Sequence, residues 1–398
     1  MRSRQWLIVL ALGAIALATG CGGSKGPSAT PTPLPEAKTL REQADRISFL
    51  VGATMPDLRP GGAFFAGEAY NSTLSQEFNY VTININMFGV ETERGKFNFA
   101  VRDGEVAFAK EHGLKILMHP LIWENWDQHS DTPAWLKFKQ PDCGGWSPAE
   151  LDQIMKEWIQ TYVSHFKGSV TAYVVVNEAF KRSAPPGATR QLDENDLRPG
   201  PYAVTDLRQS CWQKILGEVY IARAFTYAHE ADPDALLILN DQFSNYGSDR
   251  VQQDKFIELV RKLKAQGVPI QAVGNQMHLG AQIGPESVRS VVPQPSFTED
   301  FRDFLTKAQN IGVQVRVTEM DVYLPPGPDL PLKLKQIYKG VVSTCLQFAN
   351  CTGFTTWGIT DKISLVRNVH PDAATLLFDD NYERKPAYYG VMEALKRQ

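Results

Sequence analysis

Two glutamates stand where chemistry is easiest to place. Glu178 follows the apolar run Tyr173-Val174-Val175-Val176 and its neighbour Asn177, and Glu319 follows the run Val313 to Val317. Two carboxyls facing each other across a pocket are the equipment for glycoside hydrolysis: one, protonated, gives its proton to the departing sugar oxygen, and the other, ionised, attacks or stabilises the anomeric carbon. Unlike surroundings would keep their proton affinities apart. A lone Glu at the end of an apolar run is more often solvated or salt-bridged, so the pair counts only if other polar residues gather with it. They do. His119 closes one apolar run with Trp123 just beyond it, and Asn240-Asp241, Asn275-Gln276-Met277-His278, Thr318 to Asp321, and Trp357 to Asp361 close others.

The elements that must position these groups are legible as eight short apolar runs: Ser48 to Gly52, Tyr80 to Ile85, Lys115 to His119, Val170 to Val176, Leu236 to Leu239, Ile270 to Gln276, Val313 to Val317 and Phe354 to Ile359. Each is short and rich in Val, Ile or Leu, as parallel strands buried on both faces are. Helical patterns lie between them. The clearest opens at Ser147-Pro148-Ala149-Glu150, a capping box with Pro in the first turn, and continues to about Gly168. Others run from Trp212 to His229, Arg250 to Gln266, Thr298 to Asn310 and Leu332 to Phe348. Strand and helix in turn, eight times, point to an α/β fold, a (β/α)8 TIM barrel forming a single catalytic domain over 39–398. In a barrel the functional groups belong at the C-terminal ends of the strands, which is where the polar clusters fall.

Composition narrows the class. The chain has 398 residues, a net charge of −3, 21% charged and 43% hydrophobic residues, ordinary globular values that exclude a disordered chain. There is no basic excess to argue for nucleic acid. Aromatic residues at 10%, among them 8 Trp and 13 Tyr, suit a surface that stacks on flat ligand faces. The N-terminus reads as an address. Arg2 and Arg4 precede an apolar run from Trp6 to Ala18, too short for the roughly 20 apolar residues of a membrane span but the size of a secretory leader. The run closes Leu17-Ala18-Thr19-Gly20-Cys21, which resembles a bacterial lipoprotein signal over 1–20 with Cys21 as the lipidated residue; an ordinary signal cleaved nearby is the alternative. Gly, Ser, Thr and Pro then dominate, with Pro31, Pro33 and Pro35, so 21–38 is a tether that holds an exported domain off a membrane. Of the five Cys, four remain: Cys143, Cys211, Cys345 and Cys351. An even count in an oxidising compartment suggests disulfides, with Cys345–Cys351 the nearer pair and Cys143–Cys211 following by elimination; four free thiols are the alternative. None has the spacing of a zinc or redox site.

The motifs together resemble glycoside hydrolase family 10, the endo-β-1,4-xylanases. Val175-Val176-Asn177-Glu178-Ala179-Phe180 is similar to the acid/base segment of that family, and Val317-Thr318-Glu319-Met320-Asp321 to its nucleophile segment. His119 through Trp123, Asn240-Asp241, Gly274 through Leu279, the Cys345 and Cys351 pair before Trp357-Gly358, and Leu377-Phe378-Asp379 with Lys385 through Tyr388 keep the order of the family from about residue 45 to the end. The resemblance implies a retaining mechanism without a cofactor, acting on a polysaccharide of the β-1,4-xylan type. Glu178 is then general acid and later base, and Glu319 the nucleophile. Asn177 would bond the sugar 2-hydroxyl, His119 and Gln276 would line the same sugar site, His278 would hold Glu319 ionised and aimed, and Asp321 would orient His278. Trp123 and Trp357 would pack on the sugar.

The departures are as informative. Where the family reads Thr-Pro-Glu-Asn-Glu-Met-Lys, this chain has Thr82-Ile83-Asn84-Ile85-Asn86-Met87-Phe88, so Asn84, Ile85 and Phe88 meet the non-reducing-side sugars in place of charged and amide groups. Glu124 stands for a His, Gln242 for a Tyr and Leu365 for a second Trp. Lost hydroxyl partners relax or redirect recognition. The expectation is therefore an active monomeric retaining enzyme whose preferred chain need not be plain xylan. Two rivals remain: a β-glycosidase for mixed-linkage glucan, cellobiosides or aryl glycosides, and a non-catalytic carbohydrate-binding surface lipoprotein. A metal enzyme would draw on His119 and His278 as ligands, but the resemblance gives both of them other roles, and no metal is expected.

Overall fold

A computed structural model describes residues 36–55, 67–124, 132–180, 207–243, 249–280, 296–368 and 370–396. Residues 1–35, with the leader, Cys21 and most of the tether, lie outside the described residues. Ala37 onward forms one compact unit. Among the described residues no helix is long and apolar enough to cross a membrane.

Eight parallel strands close into a barrel: β1 Leu50–Thr54, β2 Tyr80–Asn84, β3 Lys115–His119, β4 Ala172–Asn177, β5 Leu236–Asp241, β6 Ala272–Asn275, β7 Gln314–Val322 and β8 Cys351–Thr356. Each pairs with its chain neighbours, β6 pairs with β7, and β8 pairs with β1, which closes the ring. After β6 a two-residue strand, His278–Leu279, pairs again with the far end of β7 through His278↔Asp321. Helices cover the outside and bury the large apolar cluster between the two layers. The fold is the (β/α)8 barrel that the alternating runs require.

Several bounds differ from expectation, each for a local reason. The first strand starts at Leu50 rather than Ser48, because Ser48 is left-handed (φ 54°). The last spans Cys351–Thr356, earlier than the expected Phe354 to Ile359, and Gly358 (φ 116°) turns the chain away beyond it. β7 runs five residues past Val317. The single helix expected over Trp212 to His229 is two helices, Cys211–Leu216 and Val219–Ala231, broken at Gly217 (φ 71°), whose amide closes the first on Gln213 O. The helix Pro148–His165 starts with the Ser147/Glu150 capping box in place. Helices at Leu40–Arg46, Glu68–Glu77, Ala100–Glu111 and Pro386–Leu395 were not among those expected. Both disulfides are formed, Cys143–Cys211 and Cys345–Cys351.

Strand alternation explains the site. Tyr80, Leu117, Ala172, Val174, Ile238 and Ala272 form a separate buried cluster that fills the barrel interior. Side chains two apart share a face, so the same face continued toward the strand ends carries Thr82 and Asn84 on β2, His119 on β3 and Asn240 on β5. The interior is apolar below and polar above. On β4 that alternation would put Val176 inward. A bulge intervenes: Val174 pairs with Ile238 but Val176 pairs with Leu239, one residue too many on β4, and Asn177 rather than Val176 comes level with Asn240. β7 carries an extra residue in the same way. Val317 pairs with Phe354 and Met320 with Thr356, three steps against two, which lets neighbouring Thr318 and Glu319 both reach the site.

Candidate active site

Glu319 and Glu178 stand at the two bulged strand ends, 4% and 6% exposed. Donors converge on Glu319. Asn240 Nδ2 lies 2.7 Å from Oε1, His119 Nε2 3.4 Å from the same oxygen, and His278 Nε2 3.2 Å from Oε2. Its backbone amide donates to Gln276 O at 3.1 Å. Asp321 Oδ1 takes the other ring nitrogen of His278 at 2.9 Å. Burial alone would strip His278 of its proton, but Asp321 and then Glu319 outweigh burial and push its pKa up to about 10. The ring is an imidazolium that donates from both nitrogens. His119 goes the other way: burial lowers its pKa, against the pull of Glu319 and Glu178, so it lies beside Glu319 as a neutral ring rather than as an ion-pair partner.

Glu178 is held differently. It lies just past β4 with φ 51°, a left-handed backbone that a side chain other than Gly adopts at a cost and that recurs at working sites. Its amide donates to Asn240 O at 2.9 Å. Oε1 accepts from Gln276 Nε2 at 3.2 Å, and Oε2 from Trp123 Nε1 at 3.2 Å and Arg208 Nη2 at 3.0 Å. Trp123 is brought there by the segment after β3, which runs beside β4: Ile122 donates to Val175 O and accepts from the Asn177 amide, both at 3.0 Å.

One amide network joins the two sides. Asn177 Oδ1 accepts from Asn240 Nδ2 at 2.8 Å and from Gln276 Nε2 at 3.2 Å, while Thr318 Oγ1 donates to Asn240 Oδ1 at 2.7 Å. Asn240 therefore touches Asn177, Glu319 and Thr318 at once. It has room only because position 274 on β6 is Gly: a Cβ there would lie 2.0 Å from Asn240 Oδ1. Trp357 meets His119 edge-on at 5.4 Å and His278 at 6.1 Å.

Of the residues picked from the sequence, Glu178, Glu319, His119, Trp123, Asn177, Gln276, His278, Asp321 and Trp357 come together in this one cluster. Asn84 sits beside it, level with His119 across the β2–β3 pair, and its amide nitrogen donates to Met55 O at 3.2 Å. Phe88 is half-buried in the short helix Met87–Val90 that follows. Asn240, Arg208 and Gly274 are site residues that type and spacing did not single out for a role. A strand-end Asn is a faint signal, and a lone Arg in a connecting segment or a Gly in a strand is none.

A buried carboxyl pair bound into one polar network at the mouth of a (β/α)8 barrel defines a glycoside hydrolase. Residues 41–394 match the model of Glycosyl hydrolase family 10, and the chain belongs to that family. Endo-1,4-beta-xylanase B of Thermotoga neapolitana is 29% identical over 393 residues, covering 96% of this chain and 97% of that relative. Endo-1,4-beta-xylanase A of Humicola insolens is 34% identical over 309 residues, 77% of this chain and 70% of that one. Xylanase 10B from Thermotoga petrophila RKU-1, solved in complex with xylobiose, superposes with a TM-score of 0.74 at 28% identity, covering 92% of this chain and 99% of the other.

Proposed function

We propose that the protein is an endo-acting glycoside hydrolase that cleaves β-1,4-linked xylan-type polysaccharide with retention, using Glu319 as nucleophile and Glu178 as acid and then base. In the first step Glu319 forms a bond to the anomeric carbon as the bond to the leaving oxygen breaks, and the Glu178 proton moves to that oxygen. In the second, water attacks the same carbon, Glu178 takes its proton, and the ester to Glu319 breaks. The observation that carries the assignment is the division of donors. Glu319 faces the imidazolium of His278, the neutral His119 ring and Asn240, a setting for a fixed carboxylate. Asn177 has its Oδ1 fixed by two donors, which turns its Nδ2 outward as the donor for the sugar 2-hydroxyl. Proton NMR of the first product formed from a xylan oligomer tests this: the β-anomer is expected, and the α-anomer overturns it. A crystal structure should put the carboxyl oxygens roughly 5–5.5 Å apart; a gap wide enough for an intervening water contradicts retention.

The altered glycone side supports a second reading, a preference for another β-linked glycan. Ile85 is buried and the Asn84 amide nitrogen is engaged with Met55 O, so neither offers the polar grip that the family pattern places there. Turnover compared on xylan, mixed-linkage glucan and aryl β-glycosides and β-xylosides decides between the two, and turnover on none of them favours a binding protein. We also read 1–20 as a lipoprotein leader, Cys21 as the anchor, 21–38 as a tether and 39–398 as the domain, giving an exported, membrane-tethered monomer. Mass spectrometry of the mature N-terminus tests the anchor, and light scattering the monomer.

A further inference from the structure

The proton-transfer side of the site contains a buried cation. Arg208 Nη2 reaches Glu178 Oε2 at 3.0 Å, and the Arg208 side chain is 4% exposed. A guanidinium so far from water is costly unless its surroundings hold it. They do, from several segments. Its amide donates to Ala179 O at 2.7 Å, Nη1 donates to Glu124 O at 3.2 Å, and the residue before it, Leu207, bridges Phe180. Three residues on, the Cys211 amide donates to Glu124 Oε2 at 2.6 Å, and Cys211 is cross-linked to Cys143. Arg208 is thereby locked to the strand end that carries Glu178 and to the segment that carries Trp123, the other donor to the same oxygen.

We propose that Arg208 is a positioning residue for proton transfer by Glu178: it aims the carboxyl through Oε2 and stabilises the charge that appears there as the proton leaves for the glycosidic oxygen. The proposal rests on the acid/base reading of Glu178. A cation already in place needs no rearrangement at the moment of reaction, the condition under which such groups lower a barrier most. The same cation opposes the protonated resting form. Two further carboxyls share its field, and they offset that opposition only as they ionise. Asp241, at the end of β5, is raised to about 7 by burial and, against its amide donors, by Glu178; Glu124 is raised to about 7 by burial. Both feel Arg208, so one guanidinium is shared among three carboxyls. Among the described residues, the other titratable groups facing this cluster include His119 from β3, which senses Glu178, Tyr220 from the helix Val219–Ala231, which senses Arg208, Asp241 and Glu124, and Lys214, which acts to lower Glu124.

The test is kcat/KM against pH for wild type, Arg208→Gln and Arg208→Lys on two aryl β-xylobiosides, one with a poor leaving group and one with a good one. Arg208→Gln should lose roughly 10- to 100-fold on the poor leaving group and less than about threefold on the good one, since only the first needs the proton. Its basic limb should rise by about one pH unit, because Glu178 keeps its proton longer without the cation. Arg208→Lys should return the limb most of the way while recovering only part of the rate, having the charge but not the fork. Equal losses on both substrates with an unmoved limb would mean a merely structural Arg208 and overturn the proposal. So would a limb shift that vanishes when Glu124→Gln or Asp241→Asn is added to Arg208→Gln, since the limb would then belong to those groups. Should Arg208→Gln not fold by circular dichroism, Arg208→Lys alone decides, through a steeper dependence on leaving group. Glu178→Ala separates the two levels: equal loss on both substrates there removes the acid/base reading itself, whereas leaving-group dependence in Glu178→Ala but not in the Arg208 variants removes only the role of Arg208.

Discussion

The two carboxyls are built to opposite specifications. Glu319 sits within a long strand, in the bulge between Val317 and Met320 with its amide on Gln276 O, and its side-chain neighbours come from β3, β5 and the short strand after β6. Glu178 lies one residue past its strand in a left-handed turn, and its three named partners, Gln276, Trp123 and Arg208, all come from connecting segments. A nucleophile must keep one charge and one aim. A proton shuttle must exist in two charge states, and the indole of Trp123 and the guanidinium of Arg208 meet it in both. Groups from the strands hold the nucleophile, and a cross-linked connecting segment holds a cation against the acid.

That contrast is open to attack, beginning where the effect is largest. Glu319→Ala should lower kcat by about 10⁴-fold or more on every substrate, with azide restoring part of it and giving inverted product. Rescue with retained configuration would break the contrast at its root. Glu178→Ala should cost roughly 10²- to 10⁴-fold on unactivated glycan and little on aryl glycosides with good leaving groups, read from steady-state rates across a leaving-group series. Asp321→Asn removes the negative charge that keeps His278 protonated. It should cost on the order of 1.5–3 kcal/mol in kcat/KM, the worth of a hydrogen bond to a charged group, and move the basic limb down in pH. The downward shift for Asp321→Asn against the upward shift for Arg208→Gln would sharpen the division between the two halves, and shifts of the same sign would blur it.

The smallest effect concerns stability. Asp241 and Glu124 hold protons up to about pH 7 in the folded protein, well above the roughly 4 of an unfolded carboxyl. The stabilisation they contribute is complete below the unfolded value and is lost as pH rises through about 7. His278, raised to about 10 from an unfolded value near 6.5, contributes stability that is lost between those two limits. Tm should therefore fall by roughly several degrees between pH 5 and pH 9, and Asp241→Asn should flatten the part below pH 7. A Tm that rises over that range contradicts the assignments.

Much of this was legible in one chain, and the rest was hidden for definite reasons. The strands announce themselves because a parallel strand buried on both faces must be apolar throughout, as Val174 and Val175 on β4 are. Their ends are less visible. Thr352 and Gly353 belong to the last strand although neither is strongly apolar. The helix after residue 211 reads as continuous because its apolar spacing survives the break at Gly217. The polar strand ends marked nine residues that lie together in the structure, since in a closed barrel all strand ends meet at one rim. The two bulges have no local signature, yet they decide that Asn177 faces inward rather than Val176, and that Glu319 joins Thr318. Arg208 stayed hidden because its meaning lies in Glu178, thirty positions earlier, and in a disulfide whose other half is 68 positions away from Cys211.

Gly274 carries no reactive atom, yet the two halves of the site meet through the space it leaves empty. Filling that space with a single methyl group would evict the Asn240 side chain, unhooking Asn177 and Glu319 together and silencing the enzyme with every acid and base still present. Anyone redesigning the cleft for another glycan has no latitude at this bare stretch of backbone.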